Sequence, residues 1–316
     1  MVDYGHDLLF GTLLQPVPGT VQELAPLTER VGLDLVSVSD HPYWPHTLDA
    51  WATMSYVAAR TERVRVVADV ANLPLRPPAQ LAAAAASLDT LSGGRFELGL
   101  GAGAFWDAIA ARGGPRRGPG EAVAALEEAV QIIRALWTPG DAVRFEGEHY
   151  RIDGAEPGPL PAHDVGIWIG AYRPRMLRLT GRLADGWLPS SPYLPPEQLP
   201  EANRLIDEAA VAAGRSPKAV RRLYNIAGEF RANGTGFLQA PPKVWVEQLT
   251  ELTFTQGVSG YILYLPESAD QIRRFAAEVA PAVRENVAAE RPRPRYAWWP
   301  VGAAGSPHAF SGRAPR

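Results

Sequence analysis

The chain has 316 residues, 46% hydrophobic and 21% charged, enough for one large α/β barrel or two ordinary domains. A formal net charge of -3 offers no basis for binding nucleic acid or an anionic membrane. The absence of cysteine excludes disulfides, thiolate nucleophiles and cysteine–metal sites. The opening MVDYGHDLLFG lacks a basic segment followed by a long apolar one, and no apolar run reaches the roughly 18 residues of a membrane span. The expectation is a soluble, cytoplasmic protein.

Taken in order, strands alternate with helices. Leu8 to Leu14 is an apolar run that stops at Gln15-Pro16, and Val21 to Val31 has helical spacing closed by Gly32. Asp34 to Ser39 reads as a strand ending at Asp40-His41-Pro42, and Leu48 to Arg60 as a helix with Asp49 suited to its first turn. Val64 to Val70 is a buried strand, Pro77 to Thr90 an Ala-rich helix, and Arg95 to Leu98 a strand running into Gly99, Gly101 and Gly103. Trp106 to Gly120 is irregular and rich in Gly, Pro and Arg, the composition of a lid or loop.

The second half keeps the rhythm. Glu121 to Trp137 carries an apolar stripe at helical spacing, and Val143–Phe145 with His149–Ile152 suggests a hairpin turning at Gly147. Strands follow at Val165–Ile169, Gly186–Leu188, Leu223–Phe230 and Gly260–Leu265. Helices follow at Arg175–Ala184, Glu197–Ala213, Pro242–Gln256 and Ala269–Val287. About eight strand–helix units in about 285 residues predict a (β/α)8 TIM barrel with insertion loops over residues 1–289, with an open doubly wound sheet as the alternative. Residues 290–316 form a Pro/Gly/Arg-rich tail whose Trp298 and Trp299 are suited to docking.

The glycine strand is the organising stretch: alternate glycines keep one strand face bare, so that a flat or anionic ligand can approach the backbone. In a barrel, function collects at the C-terminal ends of the strands. Those ends read Gln15-Pro16, Asp40-His41, Val70-Ala71-Asn72, Gly101-Ala102-Gly103, Gly170-Ala171-Tyr172 and Ser190-Ser191. The set suits a flat aromatic cofactor better than a hydrolytic triad. His41 could equally cap a strand end, and Asp69 could simply satisfy neighbouring backbone. No metal site is expected, since His46 beside His41 lacks further ligands. Gly99 to Ala104 fits a loose dinucleotide pattern, but no strand carrying an acid follows about 20 residues on. The cluster Arg112, Arg116 and Arg117 reads more simply as a solvated loop than as a phosphate clamp.

The runs SVSDHPYWP, LDTLSGGRFELGLGAG and RALW, with the block GIWIGAYRPRMLRLTGRLADGWLPS, resemble the bacterial-luciferase-like family of flavin-dependent oxidoreductases from about residue 8 to about residue 285. The resemblance implies a (β/α)8 barrel, often dimeric, binding FMN or the deazaflavin coenzyme F420 at the strand C-termini. The Asp40-His41 pair is most similar to the deazaflavin branch, which implies Asp40 at the cofactor and His41 near its reactive carbon. It further implies Tyr43 or Trp44 as a wall of the substrate pocket, with Gln15, Phe105 and Trp106 beside it. A non-proline cis peptide is implied near Asp69, Val70, Ala71 and Asn72, under the ring. Ala102, Gly103 and Ala104 would line the ring and tail, and Gly170, Ala171 and Tyr172 the cofactor phosphate, with charge from Arg173 or Arg175. Sugar-phosphate dehydrogenases of this branch carry an acid where Ala104-Phe105-Trp106 stands here, so a more apolar small-molecule substrate is implied. The expected activity is hydride transfer with coenzyme F420. Two alternatives stay open: an FMN monooxygenase supplied by a separate reductase, and a flavin-binding protein without turnover.

Overall fold

The computed structural model describes residues 3–266 and 268–291. The tail expected over 290–316 lies outside them apart from Glu290 and Arg291, and so do Trp298 and Trp299.

Eight parallel strands close into a barrel: Leu9–Leu14, Leu35–Val38, Arg65–Asn72, Phe96–Gly101, Ile167–Ile169, Gly186–Trp187, Arg221–Ile226 and Val258–Tyr264. The first strand pairs with the last, Leu9 opposite Gly260 through Leu13 opposite Tyr264, so the sheet has no open edge. This closure decides for the barrel over the doubly wound sheet. The chain is similar in fold to a TIM barrel, with the expected helices outside it. The longest, Pro119–Leu136, starts two residues before the expected Glu121, whose side chain accepts from the Gly118 amide as an N-terminal cap. Among the described residues, no helix is long and apolar enough to cross a membrane.

Three departures from the sequence reading have local causes. The strand expected over Leu223–Phe230 stops at Ile226, and Glu229–Phe230 instead pairs with Gln239–Ala240. Gly228 separates the two pieces, and a side chain there would stand 2.5 Å from Leu238. The segment after Gly103 is not wholly irregular, because Trp106–Ala111 forms a short helix. The last helix loosens to a π turn at Phe275–Val279, just ahead of Pro281, which has no N–H to give the α-helical ladder. The predicted hairpin is present, with Val143–Glu146 antiparallel to Arg151–Ala155 and the Gly147 amide donating to the Tyr150 carbonyl.

Strand periodicity places the site. Side chains two apart share a face, and Leu13, Leu35, Val67, Trp168, Leu188, Leu223 and Ile262 form an apolar plug inside the barrel. Two residues further along their strands come Ser37, Asp69, Gly170, Ser190, Asn225 and Tyr264. A polar layer therefore lies on the plug, towards the C-terminal end of the barrel. Above it opens the cavity.

Candidate active site

A cavity of about 250 Å3 is lined by Asp40, His41, Tyr43, Asp69, Val70, Ala71, Asn72, Gly101, Ala102, Gly103, Ala104, Gly170, Tyr172, Arg173, Met176 and Leu188. Every contributing segment lies at or just beyond the C-terminal end of a barrel strand, or opens the helix that follows one. The frame on one side is ionic. Asp40 is 2% exposed, and it accepts from the Asn72 amide at 3.0 Å and from Arg76 Nε at 2.9 Å. A second nitrogen of Arg76 reaches Asp40 at 3.2 Å and Asp49 at 2.7 Å. Asp49 in turn caps the helix Ala50–Arg60, accepting from the Trp51 and Ala52 amides. Burial works to lower the Arg76 pKa, but the hydrogen bonds and charges of Asp40 and Asp49 outweigh it and the net shift is upward. Asp40 is thus engaged by the protein itself while also lining the cavity. Arg76 was not picked out from the sequence, although an arginine just past a strand and its 3-10 turn is a signal for such a tie.

His41 sits in an aromatic group. Trp44 stacks on it with ring centroids 4.1 Å apart, Phe105 meets it edge-on at 5.8 Å, and Tyr43 Oη lies 2.6 Å from Nδ1. Burial lowers the His41 pKa and the Asp40 charge opposes it, leaving a net shift downward from 6.5. The imidazole is therefore neutral at pH 7. Burial first, then the Asp40 charge, push the Tyr43 phenol up to about 12, so it keeps its proton. With a proton on Nδ1 the ring donates to Tyr43 and leaves Nε2 free to accept one. Phe105 adopts φ 56, ψ 53, a left-handed conformation rare outside glycine, at the head of the helix Trp106–Ala111. That turn swings its ring onto His41.

The glycine strand works differently from the sequence reading. A Cβ at Gly99 would meet the Ala68 carbonyl at 1.9 Å, and one at Gly101 would meet Val70 Cγ2 at 2.6 Å. The bare face is occupied by the neighbouring strand, whose register shifts between Ala68 and Ala71 and whose Asp69–Val70 peptide is cis. The glycines admit this bulge, and the bulge carries Val70 into the cavity. At Gly170, by contrast, a Cβ would make only ordinary contact with Val70 at 3.4 Å.

Most of the expected cofactor residues converge, but several lie elsewhere. Gln15 lines a separate cleft of about 440 Å3 with Thr20, Glu23 and Ser268. Ala171 is 1% exposed and its carbonyl accepts from Trp187 Nε1, so it supports the loop from behind. Arg175 lies against Gly120, and Arg173 is the arginine at the cavity. Trp44 and Phe105 reach the site through His41, and Trp106 stands beside Gly103. Gly101, from the glycine strand, lines the cavity as expected, and Met176 and Leu188 line it without having been singled out.

The residues fit a flat ring bearing N–H donors. Asn72 Oδ1 and Asn225 Oδ1 are buried acceptors with no partner, Asn72 lines the cavity, and Val70 gives it an apolar floor. The volume lies just below the ~300–1,000 Å3 typical of ligand pockets, room for a ring rather than a ring with its whole tail.

Much of the motif sequence serves the opposite end of the barrel. Arg95 donates to the Ala58, Thr61, Val64 and Ser92 carbonyls, and Asp185 accepts from the Ile167 amide and Arg134. Gly93 caps its helix at φ 71.

Comparison with known proteins agrees with this architecture. Residues 8–231 match the family model for luciferase-like monooxygenases. An F420-dependent glucose-6-phosphate dehydrogenase of Nocardia farcinica (strain IFM 10152) is 34% identical over 251 residues, covering 75% of this chain and 74% of the relative. A second, from Amycolatopsis mediterranei (strain U-32), is 37% identical over 181 residues, 55% of this chain and only about half (54%) of the relative. An F420-dependent secondary alcohol dehydrogenase in complex with an F420–acetone adduct superposes with a TM-score of 0.77 at 20% identity, covering 88% of this chain and 99% of that one. The monooxygenase RslO1 of Streptomyces bottropensis superposes at 0.72 and 22% identity, covering 87% and 99%. Those two structural likenesses speak to the fold alone. The family match covers well over half of the chain and the Nocardia relative is 34% identical over 75% of it, so the chain belongs to the luciferase-like monooxygenase family.

Proposed function

We propose that this protein is an oxidoreductase that passes hydride between coenzyme F420 and a small, fairly apolar organic substrate at the C-terminal face of the barrel. The names of its sequence relatives support the cofactor, since both are F420-dependent dehydrogenases. The observation that carries the chemistry is His41, neutral, hydrogen-bonded to Tyr43 at 2.6 Å and enclosed by Trp44 and Phe105. The relatives' names give a sugar phosphate as substrate, whereas here Tyr43 and Tyr172 line the cavity, and Trp44 and Phe105 pack against His41. Arg173 is the sole arginine or lysine lining the cavity among the described residues.

The bound deazaflavin supplies a ring carbon that accepts or releases hydride. Val70 and Gly170 bound the floor for the ring, Asn72 offers an acceptor, and Arg173 a positive charge at the rim. In the oxidising direction an alcohol loses hydride from carbon and a proton from oxygen, giving a carbonyl. His41 takes that proton at Nε2, while Tyr43 accepts from Nδ1–H and so fixes the tautomer. Reduction runs the same proton backwards.

The test is a side-by-side absorbance and fluorescence titration with F420 and FMN, followed by turnover of small alcohols, imines and alkenes. Tight binding of F420 alone with turnover supports the reading; preference for FMN turns it to oxygen chemistry, and binding without turnover to a carrier role. His41→Ala is expected to lower kcat by about 10²–10⁴-fold with F420 still bound. Full turnover in that variant would remove His41 from the mechanism. Because its pKa is lowered, the acid-side fall of wild-type alcohol oxidation should have its midpoint below pH 6.5.

A further inference from the structure

Two buried carboxylates line this cavity, and their surroundings are opposite. Asp40 has a guanidinium and a backbone amide. Asp69 has neither. Its Oδ2 accepts from the Ser37 hydroxyl at 2.9 Å and its Oδ1 from Asn225 Nδ2 at 3.1 Å, both neutral partners. Asn225 also donates to Ser190 Oγ at 3.1 Å, and its own Oδ1 is buried without a partner. The ionisable groups that feel the Asp69 charge are Tyr172 and Tyr264, both phenols whose pKa is itself raised, chiefly by burial. Among the described residues, the hydrogen-bond partners of Asp69 are the uncharged Ser37 and Asn225, and no arginine, lysine or histidine forms an ion pair with it. A bare carboxylate in such a place is unfavourable unless it takes a proton or meets a donor from a ligand. Paired acids whose environments differ in this way divide into one fixed charge and one that exchanges a proton.

We propose that Asp69 is a proton-exchanging residue of this cavity, protonated in the ligand complex and donating its O–H to a carbonyl or ring-nitrogen acceptor of the bound ring. The proton enters from solvent and returns to it, with no bond made or broken in the ligand. Asp40 stays the fixed charge beside His41, so one wall handles the substrate proton and the floor holds another. Burial raises the Asp69 pKa to about 6, with Asn225 and Ser37 opposing, which puts the exchange within reach of ordinary buffers. The geometry is that of an acid held open on one side: two neutral donors fix the carboxyl plane, and the remaining lone pairs are left for the cavity.

The proposal rests on the cavity being the cofactor site only for its second test. The first uses ligand-free protein carrying carbonyl-labelled aspartate, followed by isotope-edited infrared spectroscopy from pH 4.5 to 8. A protonated-carboxyl band fading with a midpoint near pH 6, and missing from Asp69→Asn, is the expected result. Ser37→Ala removes one donor that favours the charged form, so it should move the midpoint upward and assigns the band if Asp69→Asn does not fold. No such band at pH 5 would overturn the proposal. The second test compares F420 affinity of wild type and Asp69→Asn across pH, where ionisations of the ligand itself cancel in the ratio. The asparagine carries a permanent N–H donor, so wild-type affinity should fall relative to the variant by up to about ten-fold per pH unit above 6. A constant ratio from pH 5.5 to 8 would overturn the donor role. If F420 binds neither protein, the cofactor reading fails while the infrared test still decides on the proton.

Discussion

Arg76→Ala is expected to destabilise the protein by about 3–5 kcal/mol, because it strands a carboxylate that the fold has already buried. The Asp40 side chain is 1% exposed, while Arg76 is 22% exposed and holds a second acid, Asp49. The two halves of the pair are therefore unequal. Without Asp40, Arg76 keeps Asp49 and some solvent; without Arg76, Asp40 keeps only the Asn72 amide and has no counter-charge. Asp40→Asn added to Arg76→Ala should recover about half of the loss, since it removes the stranded charge. Arg76→Ala should also weaken F420 binding by at least about ten-fold, because Arg76 fixes the Asp40 carboxylate that in turn anchors the Asn72 backbone lining the cavity. Urea unfolding of the single and double variants checks the first part, and ligand titration the second. A loss below about 1 kcal/mol for Arg76→Ala would mean that solvent already neutralises Asp40.

Gly99→Ala and Gly170→Ala are expected to separate the fold from the site. At Gly99 the new methyl would lie 1.9 Å from the Ala68 carbonyl, a backbone atom that cannot rotate away. The bulge must shift or the two strands must part, at a cost of about 3 kcal/mol or more. Val70, Ala71 and Asn72 would move with it, so cofactor binding should be lost together with stability. At Gly170 the methyl meets Val70 at 3.4 Å, ordinary contact, and stands in the cavity. That variant should unfold within about 1 kcal/mol of wild type yet bind F420 at least ten-fold more weakly, about 1.4 kcal/mol of binding energy. Thermal unfolding and a fluorescence titration on both proteins read the contrast. Equal binding by Gly170→Ala and wild type would place the ring elsewhere.

The two glycines also show how far a sequence can be read. Gly99 suggested close approach of a ligand to the strand backbone, and Gly170 stood in the loop that the resemblance placed at the cofactor phosphate. At Gly99 the approaching atoms belong to the next strand; at Gly170 to Val70 and the open cavity. One-dimensional spacing cannot tell a ligand from a neighbouring strand, because both demand the same missing Cβ. The motifs carrying the family resemblance divide in a similar way. Arg95 and Asp185 hold the N-terminal ends of strands together, so those parts mark the fold and not its chemistry. The expected charge near the cofactor shows the problem in small: Arg173 and Arg175 are two positions apart across a helix start, and only the turn of the chain decides which one reaches the cavity.

Local pattern was sufficient for what depends on local pattern. The order of eight strands and their helices follows from hydrophobic periodicity and from Gly and Pro at the breaks. Asp40-His41 at a strand end is likewise local, and a barrel places strand ends on one face. Tertiary structure alone decided what comes from residues far apart. Arg76 meets Asp40 across 36 positions, Asn225 meets Asp69 across 156, and Phe105 meets His41 through a left-handed turn. The reason is physical: burial and pairing set the partners of Asp40 and the charge states of Asp69 and His41, and neither can be read until the barrel closes around them.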